Sequence, residues 1–342
     1  MSFKSCFIII ALLLFFSVNI YADEEKLLFA IDLIRHGDRT PTAKIPRQPY
    51  PWKEGLGMLT PEGREQVIRL GEQMRKIYVS QYHLLSGKYN KSDIYVRSTD
   101  TKRTIASARA FLIGFYSLSD TVWIENRAVI PIAVVSKDRD NLLQVKPSKN
   151  ISSLLKVYLL SRNGWKENTH TIQVKLKLWS DATGIKLNGF KKLNILADNL
   201  YIRQVHHVTL PQGINNEDAT KIISLNERAV VQNFKLKEIT QPMGQAFLKR
   251  VDQYFNLAAN NKTPLKYILY VGHDSSIMSV MNTLGTPLSK IPPYASHINF
   301  LLFERNKINY MRVLYNNKPV FIPACHGQIC SISQFNTLIN NK

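Results

Sequence analysis

"LLFAIDLIRHGDRTP", Leu27 to Pro41, opens as a near-continuous apolar run of strand length and breaks off into a loop that carries Arg35, His36 and Arg39. An apolar run without strict alternation describes a strand covered on both faces, as in a parallel sheet flanked by helices. The same grammar recurs twice. "DIYV" (Asp93 to Val96) precedes "RSTDTKRTIASARAFLIGFY", where Ile105, Ala108, Phe111, Leu112 and Phe115 fall at helical spacing. "KYILYV" (Lys266 to Val271) precedes "GHDSSIMSVMNTLG", helical in spacing through Ile277, Val280, Met281 and Leu284. Three strand, polar-cluster and helix units predict an α/β fold with a mainly parallel sheet flanked by helices. In such sheets the residues just past the carboxyl ends of the strands meet in one crevice, so the three clusters are expected to form a single site.

Between the first two strands, "LTPEGREQVIRLGEQMRKIYVSQY" reads as a helix with Thr60 as N-cap, Pro61 at its first position, and a buried stripe of Val67, Leu70, Met74, Ile77 and Tyr78. Residues 118–243, with mixed helical patterns, many lysines and the breakers "RNG", "NG" and "LPQG", read as an inserted, mainly helical cap over the crevice. The α/β core would then comprise residues 23–117 and 244–342.

The chain starts with one basic residue, Lys4, then the apolar run "FIIIALLLFF" and a stretch ending in small Ala22. That is the pattern of a secretory signal peptide over residues 1–22; the run is short for a membrane span, and an uncleaved anchor is the alternative. A periplasmic or extracellular location is expected, without stable membrane insertion after cleavage. Cys6 leaves with the signal, so the mature chain keeps Cys325 and Cys330 in "PACHGQIC", which reads as a short disulfide; with only His326 beside them a metal site lacks ligands. The formal charge of +20 is spread along the chain. With no zinc-finger spacing, no helix-turn-helix signal and no long basic block, it argues for a surface that attracts anionic substrates and not for nucleic-acid binding.

Arginines projecting from strand ends into one crevice are planar, permanently charged donors suited to a phosphate. Arg35, Arg39 and Arg97 are the candidates, with Arg103 as a competitor for the place given to Arg97. Neighbouring cations disfavour imidazolium, so His36 would remain neutral and able to attack phosphorus, and Gly37 would allow close backbone approach and hold the ring tautomer through its carbonyl. Asp274 in "GHDSS" would protonate the leaving oxygen, with His273 as a further phosphate donor. A carboxyl group must be protonated to donate, which favours acidic pH. The scheme needs no metal or cofactor, and no carboxylate cluster has metal-binding spacing.

Together "RHGDRTP", "VRSTDTKRTIASA", "YVGHDSS", "VHHVTLP", "IPPYASHINFLLFE" and "PACHGQIC" resemble the histidine acid phosphatases, branch 2 of the histidine phosphatase superfamily, over nearly the whole mature chain. The resemblance implies an α/β core with an inserted helical cap. It also implies a phosphohistidine mechanism with His36 as nucleophile, Asp274 as proton donor, and Arg35, Arg39, Arg97 and His273 on the phosphate. It leaves a homodimer open, and no interface patch is identifiable in the sequence. Phytase-type members carry an asparagine shortly after the His-Asp pair, whereas "HDSSI" is similar to the prostatic and lysosomal type; a cysteine that animal relatives carry near "PPYAS" is missing here.

The expected activity is therefore metal-independent hydrolysis of small phosphomonoesters by an exported acid phosphatase, with phosphoproteins left open as substrates. The rivals are a phytase or sugar phosphatase of the same fold and a non-catalytic anion-binding surface protein. Asp38 is expected in a local ion pair or turn contact. His206, His207 and His297 are expected to be structural or surface residues, His206 on the cap side of the pocket, and Tyr50 and Trp52 to border the leaving-group side. Asn90 and Asn150 match glycosylation sequons, meaningful only in a eukaryotic host.

Overall fold

The computed structural model describes residues 25–117, 130–146 and 169–340. The signal segment 1–22 and Asn150 lie outside these residues. Strand β1 (Lys26–Arg35) forms the centre of an eight-stranded sheet. Its sequence neighbours β2 (Ile94–Thr99), β3 (Ala133–Val135) and β4 (Tyr267–Gly272) run parallel to it, in the order β3-β2-β4-β1. Beyond β1 the sheet continues antiparallel through β5 (His297–Arg305) and β6 (Ile308–Tyr315), with β7 (Lys318–Pro319) and β8 (Ile329–Ser331) both paired to β6. The sheet is therefore mixed, parallel on the side that carries the polar clusters. The antiparallel half follows from two tight hairpins: Asn306 and Lys307 (φ 53° and 63°) and Asn316 and Asn317 (φ 47° and 64°) hold paired left-handed conformations of the kind that two-residue hairpin turns require.

Side chains alternate across β1, which explains why its run is apolar throughout. Phe29, Ile31 and Leu33 face a core shared with α6 (Lys237–Ala259), α7 (Asp274–Thr283) and α8 (Ile332–Asn340). Ala30 and Ile34 face the opposite core, built with α1 (Pro61–Arg75) and α2 (Lys102–Tyr116). Helix α1 starts as expected: Thr60 caps it by accepting the Gly63 N–H at 3.0 Å, Pro61 follows, and Val67, Leu70, Met74 and Tyr78 are buried. Such a cap is worth about 1 kcal/mol.

A third core lies in the helical layer formed by α3 (Thr169–Thr183), α4 (Phe190–Val205) and α5 (Asn216–Asn233), where Trp179, Leu196, Leu200 and Ile222 pack around Ile45 from the loop after β1. Not all of the stretch 118–243 belongs to this layer. Ala133–Val135 joins the sheet edge beside β2, and Leu142 and Leu143, together with Met243 of α6, pack into the core shared with β1. The disulfide forms between Cys325 and Cys330, whose Cα atoms are 5.2 Å apart at the base of α8. Among the described residues no helix is long and apolar enough to cross a membrane.

Candidate active site

Strand β1 delivers Arg35 at its last position and His36 immediately beyond it. The backbone there is held from both neighbours: His36 N–H donates to Gly272 O at 3.2 Å and its carbonyl accepts the Ala295 N–H at 3.2 Å. Gly37 then passes against the first turn of α1. A Cβ on Gly37 would lie 2.1 Å from Gly63 O, and one on Gly63 would lie 2.1 Å from Asp38 O, so neither position has room for a side chain. Both glycines serve close backbone approach.

His36 is buried, and its Nδ1 lies 2.8 Å from Gly37 O. A carbonyl only accepts, so Nδ1 carries the proton and the Nε2 lone pair is left free. Burial, then Arg103, Arg35, His273 and Arg39, hold the pKa well below the usual histidine value. The ring is therefore held neutral, with the Nε2 lone pair free.

Each guanidinium has a distinct tether. Arg35 donates through Nη1 to Pro292 O, pairs through Nη2 with Asp274 Oδ2 at 3.0 Å, and lies 4.4 Å above the Tyr294 ring. Arg39 forks onto the helical layer, Nη1 to Asp198 Oδ2 at 3.0 Å and Nη2 to Oδ1 at 2.9 Å. Arg103, on the first turn of α2, places Nη2 3.3 Å from His273 Nδ1. All three keep a buried Nε–H with no protein acceptor. Arg97 and Arg203 share that last feature, so it is the common action of Arg35, Arg39 and Arg103 on His36 that singles them out. Burial, then Arg39, pushes the Arg103 pKa down to about 10, which still leaves it charged at neutral and acidic pH.

Arg97 does not join them. It pairs with Asp140 at 2.6 Å, and the same carboxylate accepts the Leu142 and Leu143 N–H groups at 3.0 Å. Reading β2 as ending at Val96 put Arg97 past the strand. The strand in fact runs to Thr99: Arg97 and Ser98 pair with Tyr270 and Val271 of β4, and Arg97–Thr99 pair on the other side with β3, itself part of the segment read as cap. Arg97 is thus a sheet residue, and Arg103 occupies the place in the crevice expected for it.

His273 and Asp274 follow β4. His273 is the N-cap of α7 and Asp274 its first residue. Arginine only donates, so His273 Nδ1 accepts from Arg103 and Nε2 carries the proton toward Thr99 Oγ1 at 3.1 Å. Thr99 continues to Thr104 Oγ1 at 2.8 Å. Burial, then Arg103, pushes the His273 pKa down to about 3, keeping the ring neutral as this chain requires. In this arrangement His273 orients Arg103 and has no proton left for a phosphate. Asp274 is about one-third exposed to the crevice. Burial acts to raise its pKa, but Arg35, His273, Arg39 and the Ser275 N–H together lower it below the usual carboxylate value. Its place at a helix N-terminus acts in the same direction.

Asp38 does not make the local contact expected of it: its Oδ2 accepts from Thr60 Oγ1 at 2.6 Å, 22 residues on, and lies 2.7 Å from His206 Nε2 on the helical layer, 168 residues on. His206 packs edge-on against Trp52, whose neighbour in space is Tyr50. A cavity of about 470 Å³ opens beside them, lined by Tyr50, Arg203, His206 and His207 among others. His297 is held by Ala295 O and Asn317. Sequence reasoning missed Asp198, Tyr294 and Thr99. Asp198 is 159 residues from Arg39, and no local pattern marks it. Among the described residues no cluster of three or more His, Cys, Asp or Glu side chains is placed to hold a metal ion.

The chain that builds this crevice is similar over most of its length to known proteins. The model of the histidine phosphatase superfamily (branch 2) matches residues 26–316. The chain belongs to this family. It is 28% identical to prostatic acid phosphatase of Homo sapiens, over 96% of this chain and 88% of the relative. Against lysosomal acid phosphatase of Xenopus laevis it is 28% identical, over 97% of this chain and 80% of the relative. Among solved structures, the phytase from Citrobacter braakii superimposes with a TM-score of 0.67 at 17% identity, covering 92% of this chain and 98% of that one. At that identity the likeness speaks for the fold of the superfamily and not for the substrate.

Proposed function

We propose that this branch 2 histidine phosphatase is an exported acid phosphatase that hydrolyses phosphomonoesters through a covalent intermediate on His36, without metal. The observation that carries the reading is the Nδ1–H···O=C bond from His36 to Gly37, which aims a neutral Nε2 lone pair into an arginine-lined crevice. In the first step Nε2 bonds to phosphorus, the bond from phosphorus to the leaving oxygen breaks, and the Asp274 carboxyl proton passes to that oxygen. In the second, water attacks phosphorus, Asp274 carboxylate takes its proton, and the N–P bond breaks to release inorganic phosphate. Arg35, Arg39 and Arg103 neutralise the phosphoryl oxygens, with His273 holding Arg103 in place.

Charge balance explains the acidic working range. Three guanidinium charges face the two carboxylates of Asp198 and Asp274, so the empty crevice carries one net positive charge. A phosphomonoester dianion would overshoot by one, and a proton on Asp274 restores neutrality. Binding and protonation of the general acid are thus coupled.

The signal pattern of residues 1–22 supports export to the periplasm or the medium. The relatives named for acid phosphatase activity and the "HDSSI" sequence favour general phosphomonoesters over phytate. The test is a pH profile of nitrophenyl phosphate hydrolysis by the mature protein with chelator present, beside His36→Ala. Activity on the acid side of neutrality that disappears in the variant is expected. No turnover by the wild type, or full turnover by His36→Ala, would overturn the reading.

A further inference from the structure

Helix α4 presents two side chains one turn apart to the crevice. Asp198 grips Arg39 with both oxygens and also accepts the Thr42 N–H at 3.3 Å, and its charge reaches Arg103 and Tyr294. Tyr201, half-exposed, lies 6.4 Å from the Tyr294 ring, which in turn covers Arg35. The phosphate sits at His36, so the leaving group extends away from it, toward the layer that α4 supplies.

We infer that Asp198 is a specificity-determining residue, which makes the leaving-group side of the crevice accept uncharged and cationic alcohols and turn away alcohols carrying their own anion. The inference rests on the phosphatase reading above. Its physical basis is that Asp198 cancels Arg39 on the side away from the phosphate. Without it the buried guanidinium would present a whole positive charge to the leaving group, and inside a crevice of reduced dielectric such a charge acts over several ångströms. Asp198 also engages both Nη groups of Arg39, and Nη1 donates in addition to Thr40 O at 3.1 Å, so Asp198 fixes the guanidinium's orientation while the buried Nε–H is left without a protein acceptor.

The test compares three aryl phosphates that differ only at the para position: phenyl phosphate, 4-carboxyphenyl phosphate and 4-(aminomethyl)phenyl phosphate, at about pH 6, above the ordinary carboxylate pKa. In Asp198→Asn the ratio of kcat/KM for the carboxylate to that for the ammonium ester should rise about tenfold over wild type. Asp198→Glu should leave the ratio near the wild-type value. A residue that only supports the fold would lower all three rates alike, and an unchanged ratio would overturn the inference. If Asp198→Asn does not fold, Tyr201→Arg and Tyr201→Glu on the same face should move the ratio up and down respectively, and no movement in either would overturn it equally. Absence of wild-type turnover on any of the esters would instead overturn the phosphatase reading, and this inference with it.

Discussion

At the scale of single residues, the site separates arginines that look alike in the sequence. Arg103 touches His273 and presses on His36, whereas Arg97 neutralises the fully buried Asp140. Arg103→Ala should therefore abolish competitive inhibition by inorganic phosphate. Arg97→Ala should leave that inhibition in place and cost stability, about 3 kcal/mol by denaturant unfolding, because it strands a buried carboxylate. The reverse pattern would return Arg97 to the phosphate. Asp274 offers a second comparison. With Asn in its place no proton reaches the leaving oxygen, so turnover of an alkyl ester should fall by about 10² to 10⁴, and that of nitrophenyl phosphate, whose leaving group needs little help, far less. Equal slowing of both would rule Asp274 out as the acid. Much of this site was legible beforehand, since His36, Arg35, Arg39 and Asp274 lie in strand-end motifs whose residue types are explained by no packing need.

At the scale of elements, β1 contains one residue that its apolar run does not explain. Asp32 is wholly buried and accepts from Tyr78 Oη at 2.7 Å, Tyr267 Oη at 2.8 Å and Asn299 Nδ2 at 2.7 Å. Burial raises its pKa, and the three donors only partly offset this. A carboxyl whose folded-state pKa lies above its unfolded value contributes stability below the ordinary carboxylate range and loses it as pH rises through the raised value. The stability of wild type relative to Asp32→Asn should thus decline with rising pH from the ordinary carboxylate range upward and then level off, as read by urea unfolding at a series of pH values. A difference independent of pH would mean that Asp32 titrates as it does in the unfolded chain. The helix starts, the buried stripe of α1 and the three parallel strands were readable from local periodicity. The end of β2 was not, because Arg97–Thr99 carry no apolar pattern and are strand only through pairing across the sheet, with β4 as far as Ser98 and with β3 as far as Thr99.

At the scale of the whole molecule, a formal charge of +20 surrounds a crevice whose own net charge is small. The surplus acts at long range on approaching anions and is screened by salt. We expect kcat/KM for a phosphomonoester to fall as ionic strength rises from about 0.01 to 0.15 M while kcat stays level, since the Debye length shrinks from about 30 to 8 Å and the buried cage is shielded. A parallel fall in kcat would place the salt effect inside the crevice. The helical layer closes the crevice through contacts that join distant parts of the chain: Arg39 to Asp198, Asp38 to His206, and Ile45 to the core of α3 to α5.

The sequence by itself determined the α/β class, the three strands that carry the site, the places of His36 with its tautomer-fixing glycine and of Asp274 at the strand ends, and the short disulfide. These are properties of local order: the period of apolar residues, the polar break at a strand end, and the spacing of two cysteines. Only the tertiary structure decided between Arg103 and Arg97, made the sheet mixed, turned His273 toward Arg103 and brought Asp198 onto Arg39. Each of those outcomes depends on which side chains meet across a sheet or between layers, and a pairing between residues far apart in the chain leaves no periodic trace in either segment.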